Sequence, residues 1–409
     1  AELATQYLRA AGAEAQIVDT AGYPVVSGGW TVDPHYPTVT VYNHMDVQPA
    51  QEPEWTQAPF AFQNDHGIYR GRGATDDKGP ALAALFGARY AIDQGVPINV
   101  RFLWELEEEN GSPSFASAIK NRAAIPAPDS VVISDTIWLS KNQPAMPYGL
   151  RGLLGARLTL RTGTKDAHSG VTGGAARNPL VELMEIAHAC VDAKTGKVKI
   201  PGFYDEVVPP TKAEIASFLK SGFQVSKFKQ AYGFKTLRTH DPAEVMRRIW
   251  AAPTFEVHGL TGGYHGPGVK TIVPGHGELK ISMRLVPGQT PEKIFALLKH
   301  YVAKLNPAVK VEREGMLHPF RGVFDGPYVE AVKRAVLAGF GKEPAFIREG
   351  GSIGAVVTMQ KAWKVPILFM GLSLPEHGYH APNEYFDWGQ ASGGIKAFAH
   401  YFSDLAAKR

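Results

Sequence analysis

The sequence predicts an α/β protein: a mostly parallel, mixed sheet with helices on both faces, interrupted by an inserted α+β module of the split βαβ kind. Three observations predict it. Short β-rich runs alternate with helical patterns over the first part of the chain. The pattern changes character after Gly152, and the α/β alternation returns from about Pro327. Segments 1–152 and 323–409 are therefore read as the two parts of one catalytic domain, and 153–322 as the inserted module.

In chain order, 38–42, 98–104 and 130–133 are apolar or β-branched runs that read as strands, and the Ala/Leu-rich 79–92 between them reads as a helix. After Gly152, 154–161 alternates apolar and polar positions like a half-solvated strand, and 178–190 has a helical period. A second alternating strand at 278–285 precedes a helix at 291–304, with Thr290 as its N-cap, and 309–313 gives a further strand. This order, βαβ followed by βαβ, is that of a split module. The stretch 198–250 is less regular and reads as an elaboration of it. A helix at 328–340 and a strand at 365–370 complete the catalytic part.

Length and composition narrow the function classes. A chain of 409 residues exceeds one small domain, and 44% hydrophobic with 20% charged residues is ordinary for a globular protein. A net charge of +4 with no Lys/Arg block argues against nucleic acid as partner. Nothing approaches the roughly 20 apolar residues that span a bilayer. Cys190 is the single cysteine, so neither an intrachain disulfide nor a cysteine-based zinc site can form, and a reducing, cytoplasmic setting is expected.

Five short stretches carry the chemistry, each at or beyond a strand end, where open α/β sheets place ligands. His44-Met-Asp46 follows the first strand; the His can ligate a metal while the Asp orients its ring. The glycine-rich turn 71–79 holds Asp76 and Asp77, which would also suit a helix N-terminus enriched in acid. Glu105, Glu107, Glu108 and Glu109 form an acidic run that would be a solvated face anywhere else, but here it directly follows an apolar strand. Asp135 follows 131–133, and His377, His380 and Glu384 lie beyond 365–370. Such a mixture of carboxylates and imidazoles suits divalent ions. One carboxylate bridging two ions, with two more donors on each, would account for it. One glutamate must remain free of metal to take a proton from water.

In this order the motifs resemble the co-catalytic zinc metallopeptidases that include carnosinases, carboxypeptidase G, aminoacylase and succinyl-diaminopimelate desuccinylase. His44-Met-Asp46-Val-Gln48-Pro49, Gly71–Pro80 and Arg348-Glu349-Gly350-Gly351-Ser352 look most like the carnosinase and cytosolic dipeptidase branch. The resemblance implies two divalent ions per subunit, Zn²⁺ or alternatively Mn²⁺. It assigns His44 and Asp135 to one, Glu109 and His380 to the other, and Asp76 to the bridge. It makes Glu108 the general base and Asp46 the partner of His44. In the inserted module, Asp166-Ala-His168-Ser-Gly170 resembles a segment whose His stabilises the oxyanion across a homodimer interface. Thr271, Arg284, Gly351 and Ser352 correspond to substrate-holding residues, Arg284 by pairing with a carboxylate. Ala381-Pro382 departs from the Ser-Gln of some relatives but leaves His380 and Glu384 in register.

The implied reaction is hydrolysis of an amide in dipeptides or short peptides, with deacylation of N-acyl amino acids or carboxypeptidase action as the alternative within the family. Two further readings come from other classes. Gly350-Gly-Ser352-Ile-Gly354 fits a nucleophile elbow, with Asp387 and His400 as the order-compatible partners of a serine hydrolase. A non-catalytic metal-binding scaffold is the other, and the presence of every expected ligand together with Glu108 speaks against it.

Overall fold

The structure, a computed structural model, describes residues 1–407. Its central sheet has six strands in the order Glu14–Val18, Val25–Trp30, Asn99–Glu105, Thr38–His44, Ser130–Ile133, Ile367–Phe369. The last four run parallel; the first two form an antiparallel hairpin joined to Asn99–Glu105. The parallel strands bury both faces, and their side chains divide between two cores by alternation. Val41, Phe102 and Val132 point into a core with the helices Gly79–Asp93, Pro327–Phe340 and Trp388–Ala406. Tyr42, Leu103, Val131 and Ile133 point into the other, with Phe115–Lys120 and Gly354–Trp363. Small residues let the helices close: a Cβ at Gly87 would fall 2.6 Å from Phe398 Cβ.

The parallel register has a direct consequence for chemistry. His44 and Glu105 are the last residues of adjacent strands, paired in register, and Asp135 follows the next strand by two residues. Their side chains are delivered to one edge.

A second sheet is wholly antiparallel, in the order Glu256–Gly262, His276–Leu285, Gly152–Arg161, Lys310–Leu317. Burial alternates strictly along its two central strands. Leu154, Leu158, Leu279, Ile281 and Met283 pack beneath the helices Pro179–Cys190 and Pro291–Leu305. Each such buried side chain contributes about 1.5–3 kcal/mol. Both helix starts are capped: Asn178 accepts from the Leu180 and Val181 amides, and Thr290 from Lys293.

Three features differ from the sequence reading. The N-terminal hairpin makes the central sheet more mixed than alternation alone implied. Ala145–Leu150 forms a small sheet with Phe320–Arg321 and Ala345–Glu349, although Pro147 lies within it. The stretch 198–250 is not simply an elaboration of the inserted module. Its helix Lys212–Lys220 lies against Ala345–Glu349, with Phe218, Met246 and Trp250 packed on Ala145, Tyr148 and Ile347. Buried Glu214 seals that contact, accepting from Tyr148 Oη at 2.8 Å and pairing with Arg348.

Candidate active site

His44 is 1% exposed. Its Nδ1 lies 3.1 Å from the Asp46 carbonyl and 3.4 Å from Asp46 Oδ1, which favours the tautomer protonated there. The lone pair of Nε2 is then free for a cation. That Nε2 faces Asp76 Oδ1 at 2.9 Å and Asp135 Oδ2 at 3.8 Å. The other Asp76 oxygen, Oδ2, faces His380 Nε2 at 3.1 Å, and His380 Nε2 also lies 3.3 Å from Glu109 Oε2. Asp76 thus presents one oxygen to each imidazole. Asp135 is buried, its Oδ1 accepting from Tyr379 Oη at 2.8 Å.

The acidic run is sorted by its hydrogen bonds. Glu105 accepts from Tyr42 Oη at 2.6 Å and Ser112 Oγ at 3.1 Å. Glu107 accepts from the Tyr23 and Ser114 amides at 3.0 and 3.1 Å. Both are engaged away from the cluster. Asp46 accepts from the Glu108 and Glu109 amides at 3.2 and 2.9 Å, fixing their turn relative to His44. Glu109 is held by the Gln48 side chain at 2.7 Å, whereas these bonds leave the Glu108 carboxyl free.

Among the described residues, two sets of donors converge closely enough to hold an ion: His44, Asp76 and Glu109, and His44, Asp77 and Asp135. Asp77, whose role the sequence left open, is fully buried; its Oδ2 accepts from Asn43 at 2.7 Å and its Oδ1 has no partner.

The charge balance also fits cations. Burial alone would raise Asp76, but its bonds to His380 and His44 bring it down to about 2. The same bond to Asp76, followed by that to Glu109, drives His380 up to about 10. Burial lifts Asp135 to about 6, and burial followed by the Asp135 charge pushes Glu108 well above the usual carboxylate range. The two imidazole–carboxylate pairs thus face each other where a divalent ion would take its ligands, and an ion would hold the ligating rings and carboxylates in their ligand forms. The residues present fit a pair of divalent metals.

The other predicted residues fall into two further groups. Arg284 Nη1 donates to Ser352 Oγ at 3.1 Å, and Ser352 donates to the Arg151 carbonyl. Gly351 adjoins them on the turn between Ala345–Glu349 and Gly354–Trp363. His168 and Thr271 come together on a separate two-stranded ribbon, where the Ser169 amide donates to the Thr271 carbonyl at 3.0 Å. Both are exposed, and His168 Nδ1 accepts from Gly170 within its own turn at 2.8 Å.

His377 is excluded from ligation by its bonds: it is fully buried, facing Asp387 at 3.2 Å and Thr75 at 3.0 Å. Asp387 is therefore bound elsewhere than the serine-hydrolase reading requires, and His400 is exposed. Ser352 has no imidazole partner and that route has no relay.

Gln48, Tyr379 and Glu349 contribute without having been singled out, though Gln48 and Glu349 lie inside motifs quoted above and Tyr379 lies between His377 and His380. Glu349 Oε2 is buried and unpartnered, and burial with the Asp135 charge lifts its carboxyl to about 8.

Comparison with known proteins gives a consistent picture. The profile of peptidase family M20/M25/M40 matches residues 40–404. A Cys-Gly metallodipeptidase of Schizosaccharomyces pombe is 34% identical over 397 residues, 94% of this chain and 83% of that one. The human Beta-Ala-His dipeptidase is 32% identical over 394 residues, 94% and 78% of the two chains. Among solved structures, an M20 family metallo-carboxypeptidase from Sulfolobus solfataricus aligns with a TM-score of 0.92 at 31% identity, covering 99% and 93%. The Saccharomyces cerevisiae di-peptidase Dug1p aligns at 0.86 and 31%, covering 100% and 90%.

Proposed function

The chain belongs to peptidase family M20/M25/M40, and on that premise we propose that it hydrolyses dipeptides at the His44–Asp76–His380 cluster. His44 and Asp135 would hold one divalent ion, Glu109 and His380 the other, with Asp76 shared; Zn²⁺ is favoured and Mn²⁺ is compatible with the same donors. When bound, such ions lower the pKa of water and polarise the scissile carbonyl. The chain's own residues do the rest. Asp46 orients His44, and the Glu108 carboxylate accepts a proton from the attacking water and delivers it to the departing amine.

One observation carries the substrate class. Glu349, with its unpartnered buried oxygen, sits three residues before Ser352, which is bonded to Arg284. Arg151 lies beside Arg284, and burial together with that neighbouring charge brings it down to about 10. A carboxyl group that an incoming ammonium would ionise and a pair of guanidiniums thus flank one turn. They match the ammonium and carboxylate of a dipeptide. Acetylating the amino group of a good dipeptide substrate should reduce kcat/KM by about a hundredfold or more, because Glu349 is left unpaired. Equal turnover of the acetylated compound would contradict the assignment. It would favour the second reading, C-terminal cleavage of acylated or longer substrates, for which the match to the Sulfolobus carboxypeptidase speaks.

The same proposal includes a homodimer in which His168 stabilises the oxyanion in the partner's site. Its support is that His168 and Thr271 are exposed beside Val171 and Val269, 83% and 92% exposed, on the inserted sheet's ribbon. Apolar side chains so placed suit an interface. The cytoplasm is the proposed compartment, on the ground that the one cysteine, Cys190, is buried and unpaired. Among the described residues no helix is long and apolar enough to cross a membrane.

A further inference from the structure

Glu384 lies four residues beyond His380 and is fully buried, yet it is outside both converging donor sets. Its Oε2 accepts from Arg72 Nη1 and from the Gly73 amide, each at 2.9 Å. Its Oε1 accepts from the Thr75 and Asp76 amides at 2.8 and 3.0 Å. Its carbonyl accepts from the Gly71 amide at 3.1 Å. One residue therefore satisfies the main-chain donors of Gly71, Gly73, Thr75 and Asp76, in a turn that opens into a helix and would otherwise leave them buried without partners. Gly73 contributes a φ of +85° that favours glycine, turning the chain around the carboxylate. From the other side, Thr75 Oγ1 is fixed by Ser373 Oγ at 2.8 Å and by His377.

We infer that Glu384 is the positioning residue for Asp76: it holds the 71–76 turn in its ligating shape before any metal arrives. It also ties the segment carrying His380 to the loop carrying the carboxylate that His380 and His44 share. The inference rests on reading Asp76 as the shared ligand. Arg72, 2% exposed at its side chain, gives the buried carboxyl a counter-charge at 2.9 Å.

Two experiments test it. Hydrogen exchange of the Gly73, Thr75 and Asp76 amides in the metal-free wild-type protein needs no variant. Protection within about threefold of the metal-loaded value is expected, since a hydrogen-bonded buried amide opens only with its surroundings. Exchange at open-turn rates until metal is added would overturn the inference. The second is a Zn²⁺ titration of metal-stripped Glu384→Gln by calorimetry. Affinity should fall about 10–100-fold, as for removal of groups that orient a ligand. KM for a dipeptide at saturating metal should change little, because Glu384 does not face substrate. Affinity within threefold of wild type overturns the inference. Asp76→Asn separates the two layers: if it weakens Zn²⁺ binding and Glu384→Gln does not, only the role of Glu384 fails. If neither weakens it, the reading of Asp76 as shared ligand fails as well.

Discussion

The edge of the central sheet and the ribbon of the inserted module differ in how complete they are within one chain. At the sheet edge, His44, Asp76, Asp135 and Glu109 are bonded to one another or to neighbours that fix them. On the ribbon, His168 and Thr271 are exposed; the His168 ring bonds only within its own turn, and Thr271 is held through its carbonyl by the Ser169 amide. The candidate metal-binding half of the site is preassembled by a parallel sheet, whereas the half proposed to stabilise the oxyanion would be completed only by the proposed second subunit. A preorganised charge site needs rigid support, and the cleft edge supplies it.

The strongest way to break this comparison is through Glu108. Replacing it with Ala should lower kcat about 10³–10⁴-fold while both metals stay bound, because its carboxyl takes no part in the bonds that build the cluster. Metal analysis alongside steady-state kinetics distinguishes this from loss of the centre. Next in size, His168→Ala should lower kcat by about 10²–10³-fold without altering metal content. Mixing that variant with Glu108→Ala should restore activity in heterodimers, since one site then regains both groups. Absence of recovery despite demonstrated subunit exchange would place His168 outside the chemistry.

A smaller effect is expected at the substrate's carboxylate. Arg284→Met should raise KM about tenfold or more, the scale of a charge-assisted hydrogen bond, with a lesser change in kcat. A dipeptide amide, lacking that carboxylate, should be nearly insensitive to the substitution.

The smallest effect concerns where the helix Lys212–Lys220 belongs. Its Glu214 is held down to about 2 by the Thr211 amide, Arg348 and Tyr148, which together outweigh burial. A carboxyl depressed on folding stabilises the native state above its unfolded pKa of about 4.5, and that contribution is lost as pH falls towards about 2. Wild-type Tm should therefore drop more steeply between those values than that of Glu214→Gln, and the two should converge near pH 2. Parallel curves would detach this helix from the catalytic sheet.

The sequence disclosed what depends on local pattern. Alternation marked Gly152–Arg161 and His276–Leu285, and Thr290 announced its helix as an N-cap. It disclosed less where tertiary contacts decide. The strand Glu256–Gly262 is largely exposed, has two glycines and lacks an apolar face, so nothing in its composition marks it. Ala145–Leu150 was hidden by Pro147, tolerated because Phe320–Arg321 pairs only with Leu150 and Gly149 and leaves Pro147 without a ladder partner on that side. At the site, strand ends located His44 and Asp135, but spacing could not tell His377 from His380. Their difference is burial: one is enclosed by Asp387 and Thr75, the other opens towards Asp76 and Glu109. Glu349 was invisible as chemistry because its distinction is the lack of a partner, which only packing creates.

The central claim is that water is activated by two ions on ligands from a single chain, with Glu108 moving the proton. The direct measurement is titration of metal-stripped protein with Zn²⁺ or Mn²⁺ while following dipeptide hydrolysis. Turnover should be absent without metal, appear as the ions bind, and reach its plateau at two equivalents per chain. Full turnover in the presence of a chelator, or a plateau at one equivalent, would contradict it.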